Sequence, residues 1–297
     1  MFPQLKTKFT ATLFLLVVLL SACSLPIGPP ADTPTPSFTS TPEPPTATPV
    51  PGIATVNGEV IPLADYDAEL ARYKSAQAAL GVSFTDQDAA QIVLDDLIDQ
   101  TLLAQAARQA GLSVSESDLQ SRVDALAQSI GGAEQLSAWI SAHGYTDEAF
   151  RSALRRAAEA ALMRDAIVAE IPGTVEQVHA RQILLYNADE ANAVLAQLNG
   201  GATFDSLAAF YDPLARGELG WFPRGYLLEP AIEEAAFALQ AGGYSGVIQT
   251  QAGFHIIFVI ERAERSPSPD ASLVLQEKAV RDWLTAKRAE AQIVLSQ

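Results

Sequence analysis

The sequence predicts an α+β protein: a mostly helical module over residues 53–172, an α+β domain over 175–264, and a C-terminal helix within 270–297. Three observations lead there. At 297 residues the chain has room for about two domains of ~150 residues each. Between residues 53 and 172, apolar side chains recur at helical spacing between capping residues and glycine stops. After Pro172 the pattern changes to short apolar runs broken by glycines, the grammar of strands alternating with short helices. Charge narrows the function classes: 19 Lys and Arg face 35 Asp and Glu, a net charge of −16. A nucleic-acid partner is not expected, because such binding draws its affinity from clustered cations that release counterions. One cysteine and three scattered histidines, His143, His179 and His255, give no zinc spacing and no intrachain disulfide, and no metal is implied.

Lys6 and Lys8 precede an apolar run from Ala11 to Leu20, well short of the ~20 residues that a helix needs to cross a bilayer and followed by small residues. It reads as a cleaved signal over 1–22. The sole cysteine stands in Leu20-Ser21-Ala22-Cys23, which resembles the lipobox of bacterial lipoproteins. That resemblance implies cleavage before Cys23 and lipidation of its thiol; an ordinary signal peptide with an incidental cysteine is the alternative. Each acyl CH₂ buried in lipid contributes about 0.8 kcal/mol, so several chains on Cys23 would anchor the protein to a membrane, facing outside the cytoplasm. The linker, residues 23–52, contains ten prolines and nine Ser or Thr. Such composition favours extended polyproline II at about 3.1 Å per residue, a semi-rigid stalk, with a proline-rich recognition ligand as the alternative.

In the helical module, alternation from Ile53 to Ile61 around Asn57-Gly58 predicts a short strand with a turn, and Ala64–Leu80 a helix ended by Gly81. Thr85 with Asp88 caps the next helix, whose face is Val93, Leu94, Leu97, Ile98 and Leu102, and Gly111 stops it. Ser115 with Asp118 opens a third, closed by Gly131-Gly132; two more follow around Leu136–Ile140 and Thr146–Ala169. In the second domain Val178–Tyr186 reads as a strand, Ala188–Asn199 as a helix, and Phe204–Tyr211, capped by Thr203, as another. Pro230–Leu239 reads as a helix, and Val247–Thr250 and Phe254–Glu261 as strands. Ser266-Pro267-Ser268-Pro269 reads as a hinge. The tail Leu273–Ile293 has Leu275, Ala279, Trp283 and Leu284 near helical spacing, with Lys287 and Arg288 late, where cations suit the helix dipole. A lone helix cannot bury Trp283, so it should dock on another module.

Several pieces of the second domain fall in order: Ala180-Arg181-Gln182-Ile183-Leu184, Phe204-Asp205-Ser206-Leu207-Ala208, Gly217-Glu218-Leu219-Gly220-Trp221-Phe222, Arg224-Gly225, Glu234-Ala235-Ala236-Phe237-Ala238-Leu239 and Thr250-Gln251-Ala252-Gly253-Phe254-His255-Ile256-Ile257. Together, Val178–Glu261 resembles the parvulin-type peptidyl-prolyl isomerase domain. The helical module before it and the helix after it look like those of the SurA/PrsA-type foldases of the cell envelope. The resemblance implies a small antiparallel sheet flanked by helices, and a chaperone module completed by the C-terminal helix for unfolded or proline-containing polypeptides. It also implies isomerase activity without metal or cofactor. Rotation about a peptide bond costs ~18–20 kcal/mol because it breaks amide resonance, and X–Pro isomers exchange over tens to hundreds of seconds. No bond need be made or broken; the reaction calls for an apolar slot for the proline ring and dipoles that favour the twisted amide.

The resemblance places Leu219, Phe222, Leu228 and Ile232 in the proline slot, with Phe254 beside the last active-site residue; core packing is the alternative for each. His255 matches the family's C-terminal histidine, which works in a buried network with a hydroxyl such as Thr250. Two positions depart from the family. Gln182 stands where a second histidine is usual; it can donate and accept hydrogen bonds but takes up no proton. His179, three residues earlier, belongs to the opposite face of the strand. The segment Tyr211–Arg216 is shorter than the family pattern, and Asp212 is the best match for the active-site acid, with an Asp-Pro turn closing a helix as the alternative. These departures imply an isomerase of reduced rate. A holdase with a degenerate site is the second reading and a purely structural lipoprotein the third. The pairs Glu233-Glu234 and Asp95-Asp96 read as solvated helix faces, and no G-x-S-x-G pattern supports a serine hydrolase.

Overall fold

The computed structural model describes residues 51–296. The signal sequence, Cys23 and all but the last residues of the proline-rich stretch lie outside them. Among the described residues, no helix is long and apolar enough to cross a membrane.

The described residues start with a hairpin, β1 (Gly52–Val56) and β2 (Glu59–Pro62), turning at Asn57-Gly58. Five helices follow: α1 (Leu63–Leu80), α2 (Asp86–Gln109), α3 (Glu116–Ser129), α4 (Ala133–Ala142) and α5 (Asp147–Ala169). The caps form where the sequence places them: Thr85 Oγ1 accepts from the Asp88 N–H at 3.1 Å, Ser115 Oγ from Asp118 at 3.1 Å and Thr146 Oγ1 from Ala149 at 3.1 Å. Each satisfies a donor that the first helical turn leaves without a partner. The apolar face of α2, Val93, Leu97, Ile98 and Leu102, packs against Ala54, Val56 and Ile61 of the hairpin.

The second part has a four-stranded antiparallel sheet in the order β4-β3-β6-β5, built from β3 (Val175–Leu185), β4 (Glu218–Pro223), β5 (Ile248–Gln249) and β6 (Phe254–Arg265). On one face α6 (Ala188–Asn199) and α7 (Phe204–Tyr211) cover Ile183, Leu185 and Ile256. On the other, α8 (Pro230–Ala238) covers Val178, Ala180, Phe222, Ile257 and Val259. The register shifts opposite Ala180/Arg181 and His179/Ala180 leave Leu219 of β4 and Ile260 of β6 without a partner on β3, so both neighbours bulge beside the middle of that strand.

Helix α9 (Pro269–Glu290) then returns to the helical part, where Ala279, Val280, Trp283 and Leu284 pack against Leu103, Ala160 and Ile167 of α2 and α5. Arg288 fastens its end to α2, with Nε 2.5 Å from Asp99 Oδ1 and Nη1 2.8 Å from Asp95 Oδ1. Thus Asp95 is an ion-pair partner rather than part of a free solvated face. Two expectations need correction here. The second half of the Ser266–Pro269 segment is not a hinge, because Ser268 caps α9 and Pro269 begins it; proline's fixed φ suits the first helical position, where its missing N–H costs nothing. The helix also stops short of Ile293. Instead β7 (Ile293–Leu295) adds to β1 as the third strand of the small sheet β2-β1-β7.

Candidate functional site

Three adjacent strands, β3, β6 and β5, bring one row of side chains together. Gln182 on β3 is paired with Ile257 of β6, so His255, two residues earlier on β6, is its diagonal neighbour on the α8 face. His255 is in turn paired with Ile248 of β5, and the turn after β5 carries Thr250 over the imidazole. The three polar groups form one chain. Gln182 Oε1 lies 2.9 Å from His255 Nδ1, and Thr250 Oγ1 lies 2.9 Å from Nε2 and accepts from the Ala252 N–H at 3.1 Å. With the glutamine oxygen facing the ring, Nδ1 carries the proton and Nε2 accepts from the threonine hydroxyl. The threonine hydroxyl and the imidazole N–H then each have an acceptor. His255 is only 3% exposed, and this burial pushes its pKa below the ordinary histidine value against the opposing pull of the Glu229 carboxylate. The lowered value favours the neutral ring, held as an oriented dipole between Gln182 and Thr250.

On the α8 face of the sheet Leu219, Phe222 and Ile232 join one apolar cluster. Phe222 has no exposed surface and Ile232 is 6% exposed, so they form the packed floor. The reachable rim consists of the half-buried Leu219, Leu227 and Ile248. Leu227 was not foreseen. Its neighbour Leu228, expected in the slot, is 99% exposed, because the loop is held so that Leu227 turns inward. The device that holds it is Glu233 in the first turn of α8: its carboxylate accepts the N–H groups of Gly225 at 2.6 Å, Tyr226 at 3.0 Å and Leu227 at 3.1 Å. Glu233 is thus half-buried and structurally engaged, unlike the exposed Glu234. A signal for it exists in Pro230 with an acid three residues on, the pattern of a helix N-terminus closing on a loop.

Two further expectations are corrected. Phe254 faces away from His255, as adjacent residues of a strand must, and packs in the cluster under α6 and α7. Asp212 ends α7, and its carboxylate is taken up by its own turn, accepting from Ala215 at 3.0 Å and Gly217 at 2.9 Å. These N–H groups, Gly217 foremost, hold its pKa below the usual carboxylate value. Asp212 approaches the network only through Gly217, whose carbonyl accepts from the Gln182 N–H at 2.8 Å. His179 lies on the far face, stacked on Trp221 with its Nε2 2.5 Å from Glu218 Oε1.

Replacing Glu233 with alanine strands three loop donors. The expected result is a loss of about 1–3 kcal/mol in denaturant unfolding, the cost of buried groups left without partners, and a rise in KM for prolyl peptides larger than the fall in kcat. Glu233→Gln, which keeps one acceptor oxygen, should recover part of both.

Residues 1–163, more than half of the chain, match the family model of the SurA-like N-terminal domain. The chain belongs to that family. Residues 185–261 match the PPIC-type PPIase domain of the rotamase family, so a SurA-like module is joined to a parvulin domain. The chaperone SurA of Thiobacillus denitrificans is 31% identical over 144 residues, 41% of this chain and 33% of that protein. The foldase protein PrsA of Caldanaerobacter subterraneus subsp. tengcongensis is 29% identical over 225 residues, 69% of this chain and 72% of that protein. The chain spans about a third of the length of the first SurA chaperones that it matches. Among solved structures, PrsA from Bacillus cereus aligns with 80% of this chain and 87% of that one, at 18% identity and a TM-score of 0.45.

Proposed function

We propose that this chain is a peptidyl-prolyl cis-trans isomerase and chaperone for unfolded, proline-containing polypeptides, acting outside the cytoplasm on a lipid anchor at Cys23. The observation that carries the reading is the closed hydrogen-bond chain Thr250–His255–Gln182 beside the apolar rim of Leu219, Leu227 and Ile248. A planar amide has a more polar carbonyl than a twisted one, so taking the prolyl peptide bond out of water raises the planar state relative to the twisted state. The rim supplies that dry surface and grips the ring. The network keeps the strands beneath it in one arrangement without offering a proton that would compete for the carbonyl. SurA and PrsA relatives, named chaperone and foldase, support the chaperone half and an extracytoplasmic location.

The second reading, a holdase whose parvulin domain is slow or inert, is favoured by one observation: the Asp212 carboxylate, the best match for the family's acid, is occupied by backbone N–H groups. A protease-coupled peptide assay separates the two. Wild type should exceed the uncatalysed rate and Leu219→Ala should fall by about tenfold, the scale of truncating a slot side chain. If wild type and Leu219→Ala both run at the uncatalysed rate while the protein still suppresses client aggregation, the isomerase reading is wrong and the holdase reading stands.

A further inference from the structure

Two acids are buried in the helical part, Glu159 and Asp65, and their ion pairs differ. Glu159 receives Arg108 Nη1 at 2.7 Å and the Val114 N–H at 3.4 Å. Asp65 of α1 and Arg156 of α5, with side chains 11% and 14% exposed, come no closer than 3.7 Å, between Oδ2 and Nη1, too far for a hydrogen bond. Arg156 Nε has no partner either, alone in this respect among the buried side-chain nitrogens and oxygens of the described residues. Charges taken out of water are costly unless hydrogen bonds complete them, so this unfinished pair points to a partner from outside the chain. The pair lines a cleft of about 260 Å³ between α1, α2, α4 and α5, with Leu97, Trp139, Phe150 and Leu154 as its apolar wall. We propose that this cleft binds a free α-amino acid with an apolar or aromatic side chain, its carboxylate on Arg156 and its ammonium on Asp65.

The charges select a zwitterion. An α-amino acid carries its carboxylate and ammonium on one carbon, which suits an acid and a guanidinium 3.7 Å apart, and both contacts are charge-assisted, about twice as strong as neutral hydrogen bonds. An internal residue of a polypeptide offers only amide dipoles, and a chain end only one charge. A lone anion is opposed by Asp65 and a lone cation by Arg156. The second charged pair of the lining, Arg72 and Glu69, is already joined at 2.6 Å, and Arg72 also donates to the His143 carbonyl at 2.9 Å and stacks on the Tyr145 ring. Burial raises the pKa of the Tyr145 phenol, which feels the charges of Arg72, Glu69, Asp65 and Arg156, so its hydroxyl keeps the proton and can donate to a carboxylate. The volume fits as well: an apolar cavity of about 150 Å³ accepts a benzene ring, which leaves room here for the amino-acid head. None of these residues belongs to the Thr250–His255–Gln182 network, and the inference stands independently of the isomerase reading.

The test is calorimetric titration and thermal unfolding of the full chain with L-phenylalanine, L-leucine, glycine and N-acetyl-L-phenylalanine amide, which keeps the side chain and lacks both charges. Phenylalanine or leucine should bind saturably and raise Tm, since a ligand of the folded state alone stabilises it by mass action. Glycine and the blocked amide should bind at least about tenfold more weakly, the scale of a lost pocket contact or charge pair. Asp65→Asn should weaken the free amino acid by at least about tenfold. Because that variant also alters a buried pair, Ala153→Leu is the second probe: it fills the cleft from α5 without touching either charge and should abolish binding. Arg164→Gln, exposed on the same helix, should bind as the wild type does. Three results overturn the site: no saturable heat from phenylalanine or leucine up to about 10 mM, unchanged affinity in Ala153→Leu, or a blocked amide that binds as tightly as phenylalanine. The last would make the cleft a clamp for polypeptide backbone instead.

Discussion

His255→Ala is expected to lower kcat/KM for prolyl peptides by about 10–100-fold, the lower range for removing a preorganised electrostatic group. It should also destabilise the fold by about 2–4 kcal/mol, because a buried ring is lost and the Thr250 hydroxyl and Gln182 oxygen are left without it. His255→Gln, which can accept from Thr250 and donate to Gln182, should recover much of the stability. The pH profile separates this role from proton transfer. Burial holds the folded pKa of His255 below the ordinary value, so kcat/KM should stay level as pH falls through about 6.5, where an unperturbed histidine titrates, and decline only below it. Stability follows the same group. In the window between the depressed folded value and about 6.5, the unfolded chain binds more protons than the folded one, so stability drops as pH is lowered and levels off beneath the folded value. His255→Gln should flatten that slope. A wild-type profile with a midpoint at 6.5 or above would mean that the imidazole is not held neutral by its surroundings.

What the sequence made legible is what local chemistry encodes. Thr85, Ser115, Thr146 and Thr203 each bond to an N–H three residues ahead, so the start of each helix is written within four residues. The docking of α9 followed from a tryptophan that a single helix cannot bury. The pairing of Gln182 with His255 came with the family resemblance, and the strand parity separating His179 from them needed only alternation. Long-range pairing was not legible. β4 and β7 are strands because β3 and β1 offer them open edges, and neither Glu218–Pro223 nor Ile293–Leu295 announces this in its own composition. At the site, Leu228 and Leu227 are equally apolar, and only the Glu233 carboxylate decides which one turns inward. Asp212 was ambiguous in principle, since an acid before a proline suits both an active site and a turn; three-dimensional contact with Ala215 and Gly217 settles where its oxygens go.

Gly217→Ala should be the most damaging single-methyl change in the isomerase domain. A Cβ there would lie 1.8 Å from the Gln182 carbonyl oxygen and 2.9 Å from its carbon, and the backbone has φ +69°. The obstacle is backbone on a central strand, and Gln182 is also paired with Ile257 across β6, so neither side can give way without breaking the Gly217–Gln182 hydrogen bond. A loss of more than about 3 kcal/mol follows, a fall in Tm on the order of 10 °C for a chain of this size, with kcat/KM reduced because Gln182 no longer meets His255 correctly. Gly225→Ala is the informative contrast. Its φ is +87° and the added Cβ would lie 2.6 Å from Cδ of Lys278 on α9, a forbidden approach as well, though shallower than the one at Gly217. That obstacle is the stem of a flexible side chain, however, so it moves aside and leaves mainly the left-handed backbone cost of about 1–2 kcal/mol. Adding Lys278→Ala should restore only the steric part, whereas no second-site truncation should rescue Gly217→Ala. Equal Tm losses for the two glycine variants would show that the loop after α7 is not clamped to β3 as described, and with it the brace on Gln182 would be lost.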